Sequence, residues 1–140
     1  TMPNIIFFFP YKKNILTDRN KLKRFIQQLF KKEKTSLGSL QYIFCSDDFL
    51  LQVNKQYLKH DYYTDIITFN LGEKAVEGEI YISIDRVKDN ATTYKTSFKR
   101  ELHRVIFHGA LHLCGYKDKL NEEKKVMSAK EDRYLQEYFK

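Results

Sequence analysis

Three side chains able to bind a metal ion stand in one run of the chain, His108-Gly-Ala-Leu-His112-Leu-Cys-Gly115-Tyr-Lys-Asp118. On a helix, residues four apart share a face with Cβ atoms about 6 Å apart, so both imidazoles can reach one ion at roughly 2.0 to 2.1 Å. A third ligand six residues beyond the second requires the helix to end in between. Gly115 can take the left-handed conformation that closes a helix C-terminus, and Asp118 then returns toward the pair. The candidate set is therefore His108, His112 and Asp118 around one zinc ion per chain. Three protein ligands leave a fourth tetrahedral position open, as in catalytic rather than structural zinc sites. The ordinary alternative is two hydrogen-bonded helix histidines, which chance places at this spacing in many soluble proteins.

The spacing matches the metzincin zinc signature except at one position, where Gly109 replaces the glutamate that acts as general base in those proteases. The metal cage survives this change and the peptide-hydrolysis machinery does not. A glycine inside a helix costs about 1 kcal/mol relative to alanine, so something is expected to approach the backbone at Gly109. Of the other histidines, His60 reads as an exposed loop residue and His103 as an ordinary helix-face residue. Cys114 lies within the run but reads as a small apolar group rather than a ligand.

Elements to position these residues follow from periodicity. Ile5 to Phe9, closed by Pro10, predicts a first strand. Asp18 is placed to cap a helix with Leu22, Phe25, Ile26 and Leu29 on its apolar face and Lys21 and Arg24 among its basic residues. After Leu37-Gly38-Ser39, Leu40 to Cys45 predicts a second strand, and Asp47 or Asp48 a cap for a helix through Tyr57. Lys59 to Thr64 reads as a loop; its Tyr62 and Tyr63 could stack on bases, although burial is the ordinary expectation for tyrosine. Two strands, Asp65 to Leu71 and Glu79 to Ile84, flank a loop containing Gly72 and Gly78. Asp85 is placed to cap a helix to about Lys95. From Ser97 the apolar positions Phe98, Leu102, Val105, Ile106 and Leu113 predict a helix carrying both histidines, and Asn121 opens a last helix with Met127, Tyr134 and Tyr138 in the core.

The 140 residues suit one domain, 1–140, and 42% hydrophobic residues with 10 Tyr and 11 Phe suffice for a packed interior. The net charge of +7 arises entirely in residues 1–60, which hold 11 Lys/Arg against 4 Asp/Glu, while residues 61–140 hold 14 of each. Such a sector suits a polyanionic partner, though a solvated, solubilising face is the commoner reason for an excess of this size. Two cysteines, Cys45 and Cys114, form no disulfide framework. With no basic leader and no long apolar span, a cytoplasmic protein without membrane attachment is expected. Thr1 ahead of Met2 reads as an added residue.

With these motifs in place, the chain closely resembles the YbeY family of metal-dependent endoribonucleases. The family's run His-Gly-x-Leu-His-Leu-x-Gly-Tyr is met from His108 to Tyr116. Asn54-x-x-Tyr57, Asp61-Tyr-Tyr-Thr64-Asp65-Ile-Ile-Thr-Phe69 and Gly78-Glu79-Ile80 agree in order and separation. The resemblance implies one zincin-like α+β domain, a small mixed sheet of about four strands with about five helices. It also implies a zinc-dependent, single-strand-specific endoribonuclease acting in small-subunit ribosomal RNA maturation and ribosome quality control, with RNA and ribosomal particles as partners and DNA not expected. Two departures stand out. Most relatives carry a histidine as third ligand where this chain has Asp118, which adds charge and widens metal choice toward harder ions. Leu58 replaces an arginine thought to face RNA, leaving Lys59 or His60, with Lys21 and Arg24 of the basic helix, as the candidate phosphate contacts. Zinc would polarise a phosphoryl oxygen or lower the pKa of its water to about 7. The sequence singles out no general base and does not choose between water and the RNA 2′-hydroxyl as nucleophile. The alternatives are a ribosome-binding assembly factor with weak or no catalysis and, opposed by Gly109, a metalloprotease.

Overall fold

The computed structural model describes residues 3–140, so Thr1 and the reading of it as an added residue lie outside the described residues. The elements in chain order are β1 (Asn4–Phe8), α1 (Arg19–Lys32), β2 (Leu37–Cys45), α2 (Asp47–Leu58), β3 (Ile66–Asn70), β4 (Val76–Ser83), α3 (Ile84–Thr93), α4 (Phe98–Leu113) and α5 (Asn121–Tyr138). The strands form one mixed sheet in the order β1-β2-β4-β3, in which β1, β2 and β4 run parallel and β3 lies antiparallel at the edge. This is the expected α+β class.

Alternation along the strands divides the core between two faces. Leu40, Tyr42, Phe44, Ile80 and Ile82 are fully buried in one cluster with Leu22 and Ile26 of α1, Leu102 and Ile106 of α4, and Leu135 of α5. Burial of each such side chain contributes about 1.5–3 kcal/mol. Cys45 and Ile67 instead meet Leu50 and Val53 of α2, with Phe69 and Tyr81 packed alongside. The metal-run helix α4 is central, touching α1, α3, α5, β3 and β4. The Tyr42 hydroxyl donates to the carbonyl of Ile106 at 2.8 Å, tying the helix to the sheet.

Several expectations are corrected. Ser46 and Ser83, not the following aspartates, cap α2 and α3, accepting from the Phe49 and Arg86 amides at 3.2 and 3.1 Å. Asp47 is drawn away by Arg86 at 2.7 Å and Asp85 by the Tyr11 hydroxyl at 3.0 Å. Asp18 makes no side-chain cap, and Leu120 rather than Asn121 is the cap residue of α5. Leu37 to Ser39 belong to β2, paired with β4 through a register shift. Gly78 lies within β4, paired with Leu40 and Asn70, and a Cβ there would come 2.6 Å from Leu113 Cδ1. His103 lies on a helix face as expected, and that face of α4 is buried, with His103 stacked on Tyr138 and its pKa lowered by burial. Tyr62 and Tyr63 are exposed, against the ordinary expectation.

Candidate metal centre

Gly109 sets the depth of the site. A Cβ there would lie 2.9 Å from Ile66 Cδ1 and from Ile80 Cγ2, so what approaches the backbone is the sheet itself. α4 then ends as its sequence suggests. The Tyr116 amide donates to the Leu111 carbonyl at 3.1 Å and the Gly115 amide to that of His112 at 3.0 Å, with Gly115 at φ 102°. That double closure is a Schellman motif, and it turns the chain so that Asp118 returns to the histidine face.

The three donor atoms of His108, His112 and Asp118 lie within 4.8 Å of one another. His112 Nδ1 is 2.8 Å from the Tyr116 carbonyl, which only accepts, so that nitrogen carries the proton. His108 Nδ1 makes a short hydrogen bond to the Glu131 carboxylate, the pairing that orients metal-binding histidines and raises their basicity. Nε2 is left to bind in both rings. It stands 3.2 Å from Asp118 Oδ2 in His108 and 3.4 Å in His112. Tetrahedral co-ligands 2.0–2.1 Å from one ion stand about 3.3–3.4 Å apart, and both histidine–aspartate distances are close to that.

Around the triad, Arg104 donates to Glu131 at 2.9 Å and to Asp132 at 2.6 Å, and its Nε is 4.0 Å from Glu101. Burial opposes charging His108, but Glu131, Asp118 and Asp65 outweigh it and raise its pKa. Burial also raises Asp65, and pushes Glu101 up to about 7 despite Arg104. Asp65 lines the same cavity as the triad, and its Oδ2 receives a 3.4 Å contact from the Asn90 amide nitrogen. The Cys114 thiol packs against the core with its pKa pushed by burial to about 11, in keeping with its omission from the ligand set. Glu33, at the end of α1, receives the Tyr116 hydroxyl at 2.6 Å, the Tyr134 hydroxyl and Lys130 at 3.1 Å, and so anchors the turn whose carbonyl holds His112.

The four residues put forward for RNA are not brought to the triad. Lys21 donates to the Tyr138 carbonyl at 3.1 Å and sits over that ring, and Arg24 is exposed on α1. Lys59 ends α2 in the left-handed conformation, and exposed His60 stacks on Tyr62 with ring centroids 5.1 Å apart. None of the four, nor Leu58, lines the cavities at the triad. Sequence reasoning missed Glu131, Glu101, Arg104, Asp65 and Glu33. A signal existed for two of them: Glu131 shares the buried face of α5 with Met127, Tyr134 and Tyr138, and Glu101 that of α4 with Leu102 and Val105.

The family model described as Endoribonuclease YbeY matches residues 10–139. The chain is 53% identical over 133 residues to the Endoribonuclease YbeY of Cytophaga hutchinsonii, covering 93% of each chain. To that of Phocaeicola vulgatus it is 53% identical over 100 residues, 71% of this chain and 72% of the relative. Among solved structures, the solution structure of TM1509 from Thermotoga maritima matches with a TM-score of 0.63 and 30% identity, over 99% of this chain and 89% of that one.

Proposed function

The chain belongs to the Endoribonuclease YbeY family, and we propose that residues 1–140 act as one domain, a metal-dependent hydrolase cleaving phosphodiester bonds in single-stranded RNA. Its role in this reading is small-subunit ribosomal RNA maturation and quality control of ribosomal particles in the cytoplasm. Among the described residues no helix is long and apolar enough to cross a membrane. The observation that carries the reading is the pair of Nε2 atoms at co-ligand spacing from Asp118, with both Nδ1 atoms already engaged.

This donor set fits zinc, held by His108, His112 and Asp118, and the carboxylate also admits harder divalent ions. When bound, the ion would supply Lewis acidity toward a phosphoryl oxygen. Glu131 and the Tyr116 carbonyl keep the two rings turned with Nε2 inward. Asp65, half-buried in the cavity it shares with the triad, is our candidate for taking a proton during cleavage. A protease role has no counterpart here: the place of the missing glutamate is filled by Ile66 and Ile80.

The test assays a small-subunit ribosomal RNA precursor with the purified protein, with chelator, and with His112→Ala. Cleavage lost on chelation and in the variant, with RNA affinity retained, is the expected result. Equal cleavage by His112→Ala would overturn the reading. Binding to ribosomal particles without any metal-dependent cleavage would favour an assembly factor instead.

A further inference from the structure

A groove of about 660 Å³ runs from Thr96 to the triad, lined by Asn90 and Tyr94 at the end of α3, by α4, and by α5. Arg100, Arg104, His108 and His112 occupy successive fourth positions of α4, so the groove follows one stripe of the helix into the metal site. From Arg100 to His108 the helix rises about 12 Å. The volume lies within the roughly 300–1,000 Å³ of small-ligand sites.

Charge divides this groove. Asp65, Asp118 and Glu131 stand at its inner end, and Arg104 is held by Glu131 and Asp132. Arg100 on α4 and Lys124 in the first turn of α5 have no ion-pair partner among the described residues. Tyr94 lines the same groove with 65% of its surface exposed, a ring open to stacking. Two unpaired cations and an open aromatic ring, beside a site suited to phosphodiester chemistry, are what a nucleotide needs for its phosphate and its base.

We propose that this groove binds the nucleotide flanking the scissile bond, its phosphate on Arg100 and Lys124 and its base against Tyr94. The proposal rests on the RNA-cleaving reading of the triad and assigns the strand its path: along α4, away from His112 toward Thr96. It also moves phosphate binding off the basic α1 face. A substrate ending at the scissile phosphate on this side would lose these contacts.

The experiment measures affinity for a labelled single-stranded RNA in chelator, where no metal-dependent cleavage occurs, and KM and kcat with zinc. The proteins are wild type, Arg100→Ala/Lys124→Ala, Tyr94→Ala, and a charge-matched Lys31→Ala/Lys34→Ala control at the exposed end of α1. The groove pair is expected to weaken binding at least about fivefold and to reduce the slope of log affinity against log salt by about 0.7, the contribution of one phosphate on a single strand. Tyr94→Ala is expected to weaken binding about tenfold without changing that slope. KM should rise in each and kcat hold, while the control stays near wild type. A control as impaired as the groove pair would overturn the proposal, since loss of charge anywhere would then explain the effect. So would groove variants that bind and cleave as wild type does. If wild type itself neither binds nor cleaves RNA, the fault lies with the proposed function, which separates the two failures.

Discussion

Replacing Glu131 by alanine asks whether the buried carboxylate of α5 serves the metal or merely the packing of two helices. It accepts from His108 Nδ1 and from Arg104 at 2.9 Å, with its side chain 9% exposed. Losing such a partner unpins the ring and lowers its basicity, which reduces metal affinity about 10- to 100-fold, or roughly 1.4 to 2.7 kcal/mol. The same truncation leaves Arg104 with exposed Asp132, and a partly buried guanidinium stripped of one acceptor costs about 1–3 kcal/mol of stability without metal. Glu131→Gln separates the two effects, because its amide oxygen still accepts from His108 while the charge is gone. Zinc affinity, measured by competition with a chromogenic chelator on stripped protein, should fall in the order wild type, Gln, Ala. Urea unfolding in chelator gives the stability loss independently. An alanine variant that is less stable yet binds zinc as tightly as wild type would refute the reasoning and reduce Glu131 to a tie between helices.

Three further outcomes are expected. Asp65→Asn should retain zinc and RNA binding while kcat for RNA cleavage falls about 10²- to 10⁴-fold, and a variant cutting at the wild-type rate would remove Asp65 from proton transfer. Gly109→Glu restores the protease pattern in sequence, yet Ile66 and Ile80 leave no room even for its Cβ. It should destabilise the fold by about 3 kcal/mol or more in thermal unfolding and cleave no casein, and a folded, proteolytic variant would overturn this. In chelator, pH acts through Glu101, whose raised pKa means that the folded state binds its proton more tightly than the unfolded chain. Its effect is absent below the ordinary value of about 4.3 and costs stability as pH rises to about 7, so Glu101→Gln should gain on wild type across that window, by at most roughly 3 kcal/mol. An advantage independent of pH would contradict the assignment.

The metal face was legible because its cause is local. Spacing of four on a helix and a glycine at its end are geometric facts about neighbouring residues, and Gly115 at φ 102° closes α4 where the sequence suggests. Strand and helix order were legible for the same reason. Caps were misplaced wherever a second residue could compete: Ser46 and Ser83 take the amides while Asp47 and Asp85 turn to Arg86 and Tyr11, partners 39 and 74 residues distant. The placement of the basic residues was not legible, for a different reason. Charge counted along the chain carries no direction, and Lys21 and Lys32 of α1 fold back onto Tyr138 and Glu137 of α5, whereas Arg100 and Lys124, in the electrically neutral remainder, line the groove that leads to the triad with no ion-pair partner among the described residues.

Charge balance at the inner end of the groove gives a last, separate expectation. Asp65, Glu101, Asp118 and Glu131 converge there on His108 and Arg104, so the carboxylates outnumber the permanent cation. In the absence of metal, Glu131, Asp118 and Asp65 outweigh burial and raise the pKa of His108, while burial raises that of Glu101, with Asp65 and Glu131 adding to it. A divalent ion on the triad replaces protons on both groups: His108 must be neutral to bind, and the added positive charge favours ionised Glu101. Zinc binding near pH 6.5 should therefore release protons from a group that is not a ligand as well as from those that are. Calorimetric titration in buffers of different ionisation enthalpy counts them, and Glu101→Gln should lower the count while leaving the donor set intact. An unchanged count in that variant would mean that Glu101 keeps its proton whether or not the ion is bound, and would remove it from the charge balance of the site.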